Sequence, residues 1–152
     1  MTTQDLTDTE SNAEAVTAAA VTAASKAVVE AYLEALIAGD FETARSLYAP
    51  DATWTLAGDL PLSGTWTGPD RILGEFVPAM RDRLEMESLE FEFEGVLGEG
   101  ERVLAEWNTR GVSRTGRPYD QHCLAVFRIS DGRIAEVREH IDTLRAHTAL
   151  FA

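Results

Sequence analysis

The first part of this chain of 152 residues carries apolar positions at helical spacing. In VVEAYLEALIAGD, one apolar stripe is formed by Val28, Tyr32, Ala35 and Leu36. Gly39 suits the end of a helix, and Asp40 is a ready N-cap for a second helix, FETARSLYA. The pattern therefore predicts two successive helices, the second of which ends at Pro50.

A third helix is predicted after two short strands. The alternation of apolar and polar residues in DATWTLAG, and again in LSGTWTG, indicates the strands. Gly68-Pro69-Asp70 then has the composition of a helix start, with proline at the first helical position and an acid in the first turn. The stretch RILGEFVPAMRDRL continues as a helix in which Pro78 predicts a kink or an interruption.

The second half of the chain alternates with the period of a β-strand. Four runs follow one another: SLEFEFEGVLG, ERVLAEWNTRGV, RPYDQHCLAVFRI and RIAEVREHID. Asp131-Gly132, between the last two runs, is a strong hairpin signal. Helices first and antiparallel strands afterwards predict an α+β domain: a curved, mainly antiparallel sheet wrapped as a cone-shaped barrel over three N-terminal helices. The open end of such a cone is a natural cavity for a small apolar molecule.

Composition excludes several classes of partner. The formal net charge of −13 argues against nucleic acid, because counterion release needs clustered Lys and Arg, and it also disfavours an anionic membrane surface. No apolar run approaches the length of a membrane span, and the N-terminus lacks the basic start and apolar block of a secretory signal. Cys123 is the single cysteine, which excludes a disulfide framework. The expected compartment is the cytoplasm.

The charge is unevenly distributed and predicts an N-terminal extension. From Met1 to Ser25 there are four acids and no base. We expect residues 1–24 to form an acidic extension rich in Ala and Thr, residues 25–144 to form the folded domain, and residues 145–152 to form a C-terminal tail. In one hypothesis the extension lengthens the first helix and covers the cavity or a dimer partner.

Three stretches carry a resemblance to a known family. VVEAYLEALIAGDFETARSLYAPDATW, SGTWTGPDRI and GRPYDQHCLAVFRISDGRIAEVREHID resemble the nuclear transport factor 2-like superfamily. Within it the chain is most similar to the SnoaL-like group, with ketosteroid isomerases and limonene epoxide hydrolases as cousins. The resemblance spans roughly Ser25 to Leu144. It implies an enzyme acting without a cofactor on a polyketide-, terpenoid- or steroid-like molecule, or alternatively a non-catalytic ligand-binding or dimerisation module.

The resemblance to ketosteroid isomerases matches one catalytic position in three. Their tyrosine oxyanion donor falls at Tyr32. Their catalytic base falls at Leu56, which cannot take a proton, and their protonated aspartic acid falls at Ala125. Steroid isomerisation by that mechanism is therefore not expected.

The resemblance to limonene epoxide hydrolases is equally partial. Their last aspartate falls at Asp142, while their arginine and first aspartate fall at Glu106 and Asn108. The tyrosine and asparagine that hold the attacking water fall at Trp54 and Leu56. Asp142 is the one catalytic residue that this comparison leaves in place.

The REHID stretch, residues 138–142, is the leading candidate for the site. On a strand, His140 and Asp142 lie on the same face. SnoaL-like cyclases use an aspartate base and a histidine, which Asp142 with His140 or His122 resembles. If Asp142 points into the cavity, Arg138 does so too, whereas Glu139 faces the other side. We therefore expect Asp142 to be the base, His140 its partner and Tyr32 a hydrogen-bond donor.

The same strand parity predicts the rest of the site and a contact between chains. The residues expected to contact substrate are Trp54, Leu56, Phe76, Met80, Glu106, Asn108, Cys123, Ala125 and Arg138. The opposite face is too apolar for open water, so a homodimer interface is expected at Val103, Ala105, Trp107, His122, Leu124 and Val126. Three scattered histidines lack the paired spacing of a zinc motif, so neither metal nor cofactor is expected.

The cavity itself distinguishes the enzyme from the binding module. An open cavity with an unpaired Asp142 favours the enzyme. A cone filled by Trp54, Phe76 and Met80 favours the module, and so does mutual pairing of Glu106, Arg138 and Asp142.

Overall fold

The structure is a computed structural model that describes the backbone of residues 3–152 and the side chains of residues 7–152. Two helices come first, as predicted: α1 (Thr3–Ala38) and α2 (Phe41–Ser46). The second helix ends at Ser46 and not at Pro50 as predicted, because Pro50 already belongs to the following strand. Gly39, with φ of 73°, ends α1. Asp40 caps α2, because its carboxylate accepts hydrogen bonds from the Thr43 N–H at 3.0 Å and the Thr43 hydroxyl at 2.6 Å.

The third helical segment is interrupted and lies inside the sheet sequence rather than before it. It follows strands β1 (Tyr48–Leu56) and β2 (Gly64–Thr67). Its parts are α3 (Pro69–Arg71), a π-helical turn (Ile72–Phe76) and α4 (Val77–Arg81). Pro78 lies in the first turn of α4, directly after the widened turn, as expected for a residue that has no N–H to donate.

Four long strands complete the sheet. They are β3 (Glu90–Glu99), preceded by a 3₁₀ turn (Met86–Ser88), then β4 (Arg102–Val112), β5 (Pro118–Ser130) and β6 (Arg133–His140). The turn between β5 and β6 contains Asp131 and Gly132, whose φ angles are 51° and 72°. Two positive φ angles are the geometry that an Asp-Gly hairpin favours, so this turn is as predicted.

The six strands form one curved, unclosed sheet in the order β2-β1-β6-β5-β4-β3. The β1–β6 pair is parallel and the other four pairs are antiparallel. The predicted α+β class with a mainly antiparallel sheet is therefore confirmed. The sheet curves around its helices without closing into a barrel.

Strand register decides which side chains are internal. Residues directly opposite each other in a ladder share a face, and Phe127 pairs with Val103 on β4 and with Val137 on β6. All three residues are fully buried. Alternation from these anchors makes one face of the sheet internal, and its members on β4, β5 and β6 include Val103, Ala105, Trp107, Cys123, Ala125, Phe127 and Val137.

Helix α1 runs without a break through the boundary predicted at residue 25. Its side chains from residue 7 to 24 are exposed apart from the half-buried Thr22, and Ser25 is the first buried one. Contrary to the expectation from the sequence, Thr7–Ala38 is long and apolar enough to cross a membrane by length and composition alone. The core helix of a soluble protein and an N-terminal signal sequence pass the same test. The C-terminal half of α1 belongs to the core of the domain. Met1 and Thr2 of the predicted extension lie outside the described residues.

The C-terminal residues pack on the domain as α5 (Thr143–Ala146) and a π-helical turn (His147–Phe151). Buried Gln121 fixes the start of α5. Its Nε2 donates to the Asp142 carbonyl at 2.7 Å, and its Oε1 accepts from the Asp142 N–H at 3.1 Å. Because both ends of the buried amide are satisfied, this contact holds the chain where β6 gives way to α5.

Replacing Phe127 by alanine tests the internal face. Its ring packs against Tyr32 and Trp54, with centroid distances of 6.0 and 6.1 Å. Truncation leaves a cavity, and we expect it to lower the free energy of unfolding by about 3–5 kcal/mol in urea titrations. His122→Ala, on the exposed face of the same strand, is the control and should change it by less than about 0.5 kcal/mol. Equal effects of the two substitutions would contradict the assigned register.

Candidate active site

A cavity of about 510 Å³ opens between the internal face of the sheet and the helices. Ile37 and Met86 border its mouth, since they line the cavity and remain 48% and 49% exposed. The deeper wall consists of buried side chains, among them Trp54, Phe76, Leu84, Trp107, Tyr119 and Cys123. A concave, mostly apolar site of this volume can accommodate a small organic molecule.

Two aromatic pairs form much of the wall. Trp54 and Phe76 have ring centroids 6.0 Å apart at an interplanar angle of 41°, and Phe91 stacks on Trp107 at 6.1 Å and 15°. All four rings line the cavity. Such rings offer flat, rigid apolar surfaces, which suit a ligand with a ring system.

Glu139 is the one acid among the described residues that line this cavity. It lies near the end of β6, where it pairs with Ala125 on β5 and with Leu56 on β1. Its Oε2 accepts a hydrogen bond from Trp54 Nε1–H at 2.9 Å. No other side chain within residues 7–152 donates to this carboxyl group.

Burial raises the pKa of Glu139 to about 7, and the Trp54 hydrogen bond lowers it by less than burial raises it. The cause is desolvation, because a carboxylate in an apolar cavity loses its hydration. Glu139 keeps some accessible surface where it borders the cavity, but protein surrounds the carboxyl group on its other sides. A carboxyl group whose pKa lies near neutrality can both give and take a proton.

Tyr119 adds a phenol to the same cavity. Its side chain is 5% exposed, and its hydroxyl has no hydrogen-bond partner among residues 7–152. Since no fully buried side-chain oxygen in that range lacks a partner, this hydroxyl keeps some accessible surface, and its residue lines the cavity. Burial, and after it Cys123 and Glu139, raise the pKa of Tyr119. The phenol is therefore protonated at neutral pH and can donate a hydrogen bond.

Cys123 lines the cavity as a neutral thiol. Burial raises its pKa most, the Glu139 charge raises it further, and a hydrogen bond with Thr109 opposes both. A buried thiol with a raised pKa is a poor nucleophile, so Cys123 acts as a small wall residue. No group of three or more His, Cys, Asp and Glu side chains that could hold a metal ion occurs in the described part of the chain.

The REHID residues point the opposite way from the prediction. Glu139 faces the cavity, whereas Arg138 and His140 are exposed on the outer face of the sheet. The prediction took its parity from Asp142, but β6 ends at His140. Asp142 is exposed and is the N-cap of α5. Alternation cannot be carried past the end of a strand, so the β6 residues were assigned to the wrong faces.

The faces of β4 are also the reverse of the prediction, whereas those of β5 are as predicted. Glu106 pairs with Leu124 on the outer face, and Asn108 there donates to Glu94 at 2.5 Å. Three residues predicted at a dimer interface are instead buried on the internal face: Val103, Ala105 and Trp107.

The remaining predicted residues lie in the cavity wall or in the core beside it. Those that line the cavity are Trp54, Phe76, Met80 and Cys123. Leu56 and Ala125 are buried on the internal face. Tyr32 is fully buried outside the cavity lining, and its hydroxyl accepts a hydrogen bond from Tyr48 at 2.7 Å.

Two residues that the sequence prediction missed were within its reach. Val137 is a plain apolar strand residue two positions before Glu139, so alternation anchored on Val137 places Glu139 inside. Tyr119 shares its parity with Cys123, which the prediction had correctly placed on the cavity face. The sequence alone does not show that its hydroxyl lacks a partner, so nothing in the pattern distinguishes Tyr119 from an ordinary strand residue.

Solved structures share this fold, in which a curved sheet wraps on helices around a cavity, and some of them are named NTF2-like. An NTF2-like protein of Burkholderia thailandensis E264 is 21% identical, with 84% of this chain and 98% of that chain covered and a TM-score of 0.76. An LEH-like epoxide hydrolase of M. tuberculosis is 23% identical, with 85% of this chain and 90% of that chain covered and a TM-score of 0.66. A candidate SnoaL-like polyketide cyclase of Jannaschia sp. CCS1 is 18% identical, with 87% of this chain and 94% of that chain covered and a TM-score of 0.73. At these identities the similarity shows the fold.

The chain belongs to the SnoaL-like domain family, whose match covers residues 29–137. This confirms the family resemblance found in the sequence. Comparison with curated proteins gives no match. The matched region ends two residues before Glu139.

Glu139→Gln should change how stability depends on pH. The folded state raises the pKa from 4.5 to about 7, so it binds the proton more tightly than the unfolded chain does. Wild-type stability therefore falls as the pH rises through this interval, by about 3 kcal/mol in total. The free energy of unfolding of Glu139→Gln, relative to that of wild type, should therefore rise by about 3 kcal/mol between about pH 5 and about pH 8 in urea titrations. Glu90→Gln, at an exposed position on β3, is the matched control and should keep the wild-type dependence.

Asp142 is expected to contribute stability through its cap. Its Oδ1 accepts from the Arg145 N–H at 3.0 Å. Asp142→Ala should lower the free energy of unfolding by about 1 kcal/mol, and Asp142→Asn, which preserves a capping oxygen, by only a few tenths at most. Thermal denaturation at one pH measures both. An equal loss in the two variants would mean that the charge, and not the cap, is what stabilises.

Proposed function

We propose that the protein is an enzyme that moves a proton on a small, largely apolar molecule, with Glu139 as its general acid and base. One observation carries this: a carboxyl group with a pKa of about 7 and a single hydrogen-bond donor faces an apolar cavity of about 510 Å³. Perturbed carboxyl groups in clefts are the usual acids and bases of enzymes.

The geometry supports a division of roles between three side chains. Trp54 holds the Glu139 carboxyl by its indole N–H. The carboxylate takes a proton from a carbon next to a carbonyl, and the C–H electron pair moves to form an enolate. Tyr119 donates a hydrogen bond to the oxygen on which negative charge develops.

The fate of the proton and of the enolate decides the reaction. Return of the proton to a different carbon is an isomerisation, and attack of the enolate carbon on a second carbonyl is a cyclisation. In a hydrolysis the carboxylate instead takes a proton from water, the water oxygen attacks an epoxide carbon as the ring C–O bond breaks, and the alkoxide formed takes the proton back from Glu139. All three reactions use the same groups and need no cofactor, which is why the proposal includes an isomerase, a cyclase or a hydrolase.

The proposed substrates are polyketide-, terpenoid- or steroid-like molecules. The aromatic pairs of the wall suit ring systems of this kind. Among proteins of similar fold, one is named as an epoxide hydrolase, one as a candidate polyketide cyclase and one as a candidate isomerase from Bacillus subtilis. Those names belong to those proteins, and their range of chemistry matches what a single acid–base pair can do.

A ligand-binding module is the alternative, and the state of the cavity favours the enzyme. The module hypothesis expected a filled cone with Glu106, Arg138 and Asp142 paired to one another. The cavity is open, as the enzyme hypothesis expected. Arg138 pairs with Glu136 at 3.4 Å and Asp142 with Arg145 at 3.3 Å, so neither the mutual pairing expected for the module nor the unpaired Asp142 expected for the enzyme is found. The enzyme proposal therefore depends on Glu139, which lines the cavity in place of Asp142.

A homodimer and a cytoplasmic location remain part of the proposal. The outer face of the sheet has a row of partly buried apolar side chains, Leu104, Leu124 and Val126, which a second copy could cover. The single cysteine is consistent with a reducing compartment.

Exchange of the α-protons of a bicyclic ketone, 2-tetralone, with D₂O tests the chemistry without the natural substrate. We expect the wild-type protein to accelerate exchange, measured by NMR, with a rate that rises as Glu139 ionises through about pH 7. Glu139→Gln should lower the rate by about 100-fold or more, and Tyr119→Phe by about 100-fold.

Asp142→Asn is the matched control for this experiment, because it alters the other carboxylate of REHID without removing the cap. It should retain the wild-type exchange rate. Loss of exchange in Asp142→Asn with full activity in Glu139→Gln would return the catalytic role to Asp142. Binding of the ketone without any exchange would favour the ligand-binding module.

A further inference from the structure

Arg81 places a positive charge at the mouth of the cavity. It is the last residue of α4 and lines the cavity beside Ile37 and Met86. Its Nη2 donates to the Leu36 carbonyl at 3.0 Å, and its guanidinium carbon lies 5.4 Å from the centre of the Phe41 ring. These two contacts hold the guanidinium group in a fixed position at the C-terminal end of α1.

No carboxylate among residues 7–152 forms an ion pair with Arg81. Its partners are a neutral carbonyl and an aromatic ring. A guanidinium group has several N–H donors, so one hydrogen bond to a carbonyl leaves most of them available. Arg81 is also half-buried, which limits how well water can hydrate the charge. The mouth therefore holds a cation with which no carboxylate of the described residues forms an ion pair.

The charge of Arg81 affects a buried residue of the domain, Tyr32. Burial raises the pKa of Tyr32, and the positive charge of Arg81 acts against that effect. Ile37 and Met86, the exposed large side chains that line the cavity, are apolar and do not bind a guanidinium group. An anion entering here exchanges hydration for a partly desolvated, pre-positioned donor, and such charge-assisted hydrogen bonds are stronger than neutral ones.

We propose that the molecule bound in this cavity carries an anionic group, such as a carboxylate, that pairs with Arg81 at the mouth while its rings lie between the aromatic walls. The inference rests on the proposed function in taking this cavity as the substrate site, and it adds the chemical class of the substrate. Arg81 is then a specificity-determining residue. The positive charge of Arg81 favours an acid over the uncharged amide of the same shape, because charge-assisted hydrogen bonds are stronger than neutral ones.

Arg83 provides a matched control. Its Nη1 donates to the Ala79 carbonyl, and its guanidinium carbon lies 4.6 Å from the centre of the Phe151 ring. The two arginines thus have the same kinds of contact, but Arg83 does not line the cavity. Loss of either side chain removes a charge and a cation–π contact, and only Arg81 should affect binding.

Calorimetric titration with 2-naphthoate and 2-naphthamide tests the proposal, because the two probes share a ring system and differ in charge. We expect the wild-type protein to bind 2-naphthoate about tenfold more tightly. Arg81→Gln should abolish this preference without weakening the amide. Arg81→Lys and Arg83→Gln should keep it, and circular dichroism verifies that each variant is folded.

Equal wild-type affinity for the two probes would overturn the proposal, and this comparison requires no variant to fold. Absence of 2-naphthoate binding up to about 1 mM would do the same, as would a preference that survives in Arg81→Gln. Glu139→Gln separates the inference from the proposed function, since it should lose ketone exchange and keep the carboxylate preference. If the wild-type protein accelerates ketone exchange but shows no preference for 2-naphthoate, only the role of Arg81 is contradicted. If it prefers 2-naphthoate but does not accelerate exchange, only the catalytic proposal is contradicted.

Discussion

The parallel pairing of β1 with β6 is the constraint on which the site depends. It sets Leu56 beside Glu139 and Trp54 beside Val137, so that the Trp54 indole N–H reaches the Glu139 carboxyl from the neighbouring strand. Without this donor the carboxyl group would border an apolar cavity with no partner among the described residues, a costly arrangement. The hydrogen bond makes burial of the group tolerable and leaves its pKa close to neutral pH.

Stability and chemistry therefore oppose each other at Glu139. Keeping an ionised carboxylate in this cavity costs folding free energy, which the surrounding core must offset through residues such as Phe127 and Val137. The core is well suited to do so, because the aromatic cluster of Tyr32, Trp54 and Phe127 directly supports the wall behind the carboxyl group. Proposed catalysis and the packing of the domain thus share the same side chains.

The elements could be predicted from the sequence because each has a long run of one period and a local signal at its end. Asp40 and the Asp131-Gly132 turn act through contacts with residues close by in the sequence, so their effects can be predicted from the sequence alone. The site was harder, because the two faces of each strand are assigned from the position of one anchoring residue. Anchoring β6 on Asp142, an N-cap beyond the strand, reversed the two faces of that strand. The position of Arg81 could not be predicted from the sequence, because it depends on a contact with Leu36, which lies 45 residues away.

The single cysteine gives the cavity a natural point of covalent attachment. Cys123 lies in the wall, and the chain has no second thiol that could compete with it. An apolar disulfide reagent that enters the cavity would add one group of known mass per chain. Because the thiol must ionise before it reacts, burial makes that reaction slow. The labelling rate thus measures how dry the cavity is, and occupancy by any ligand would stop the labelling.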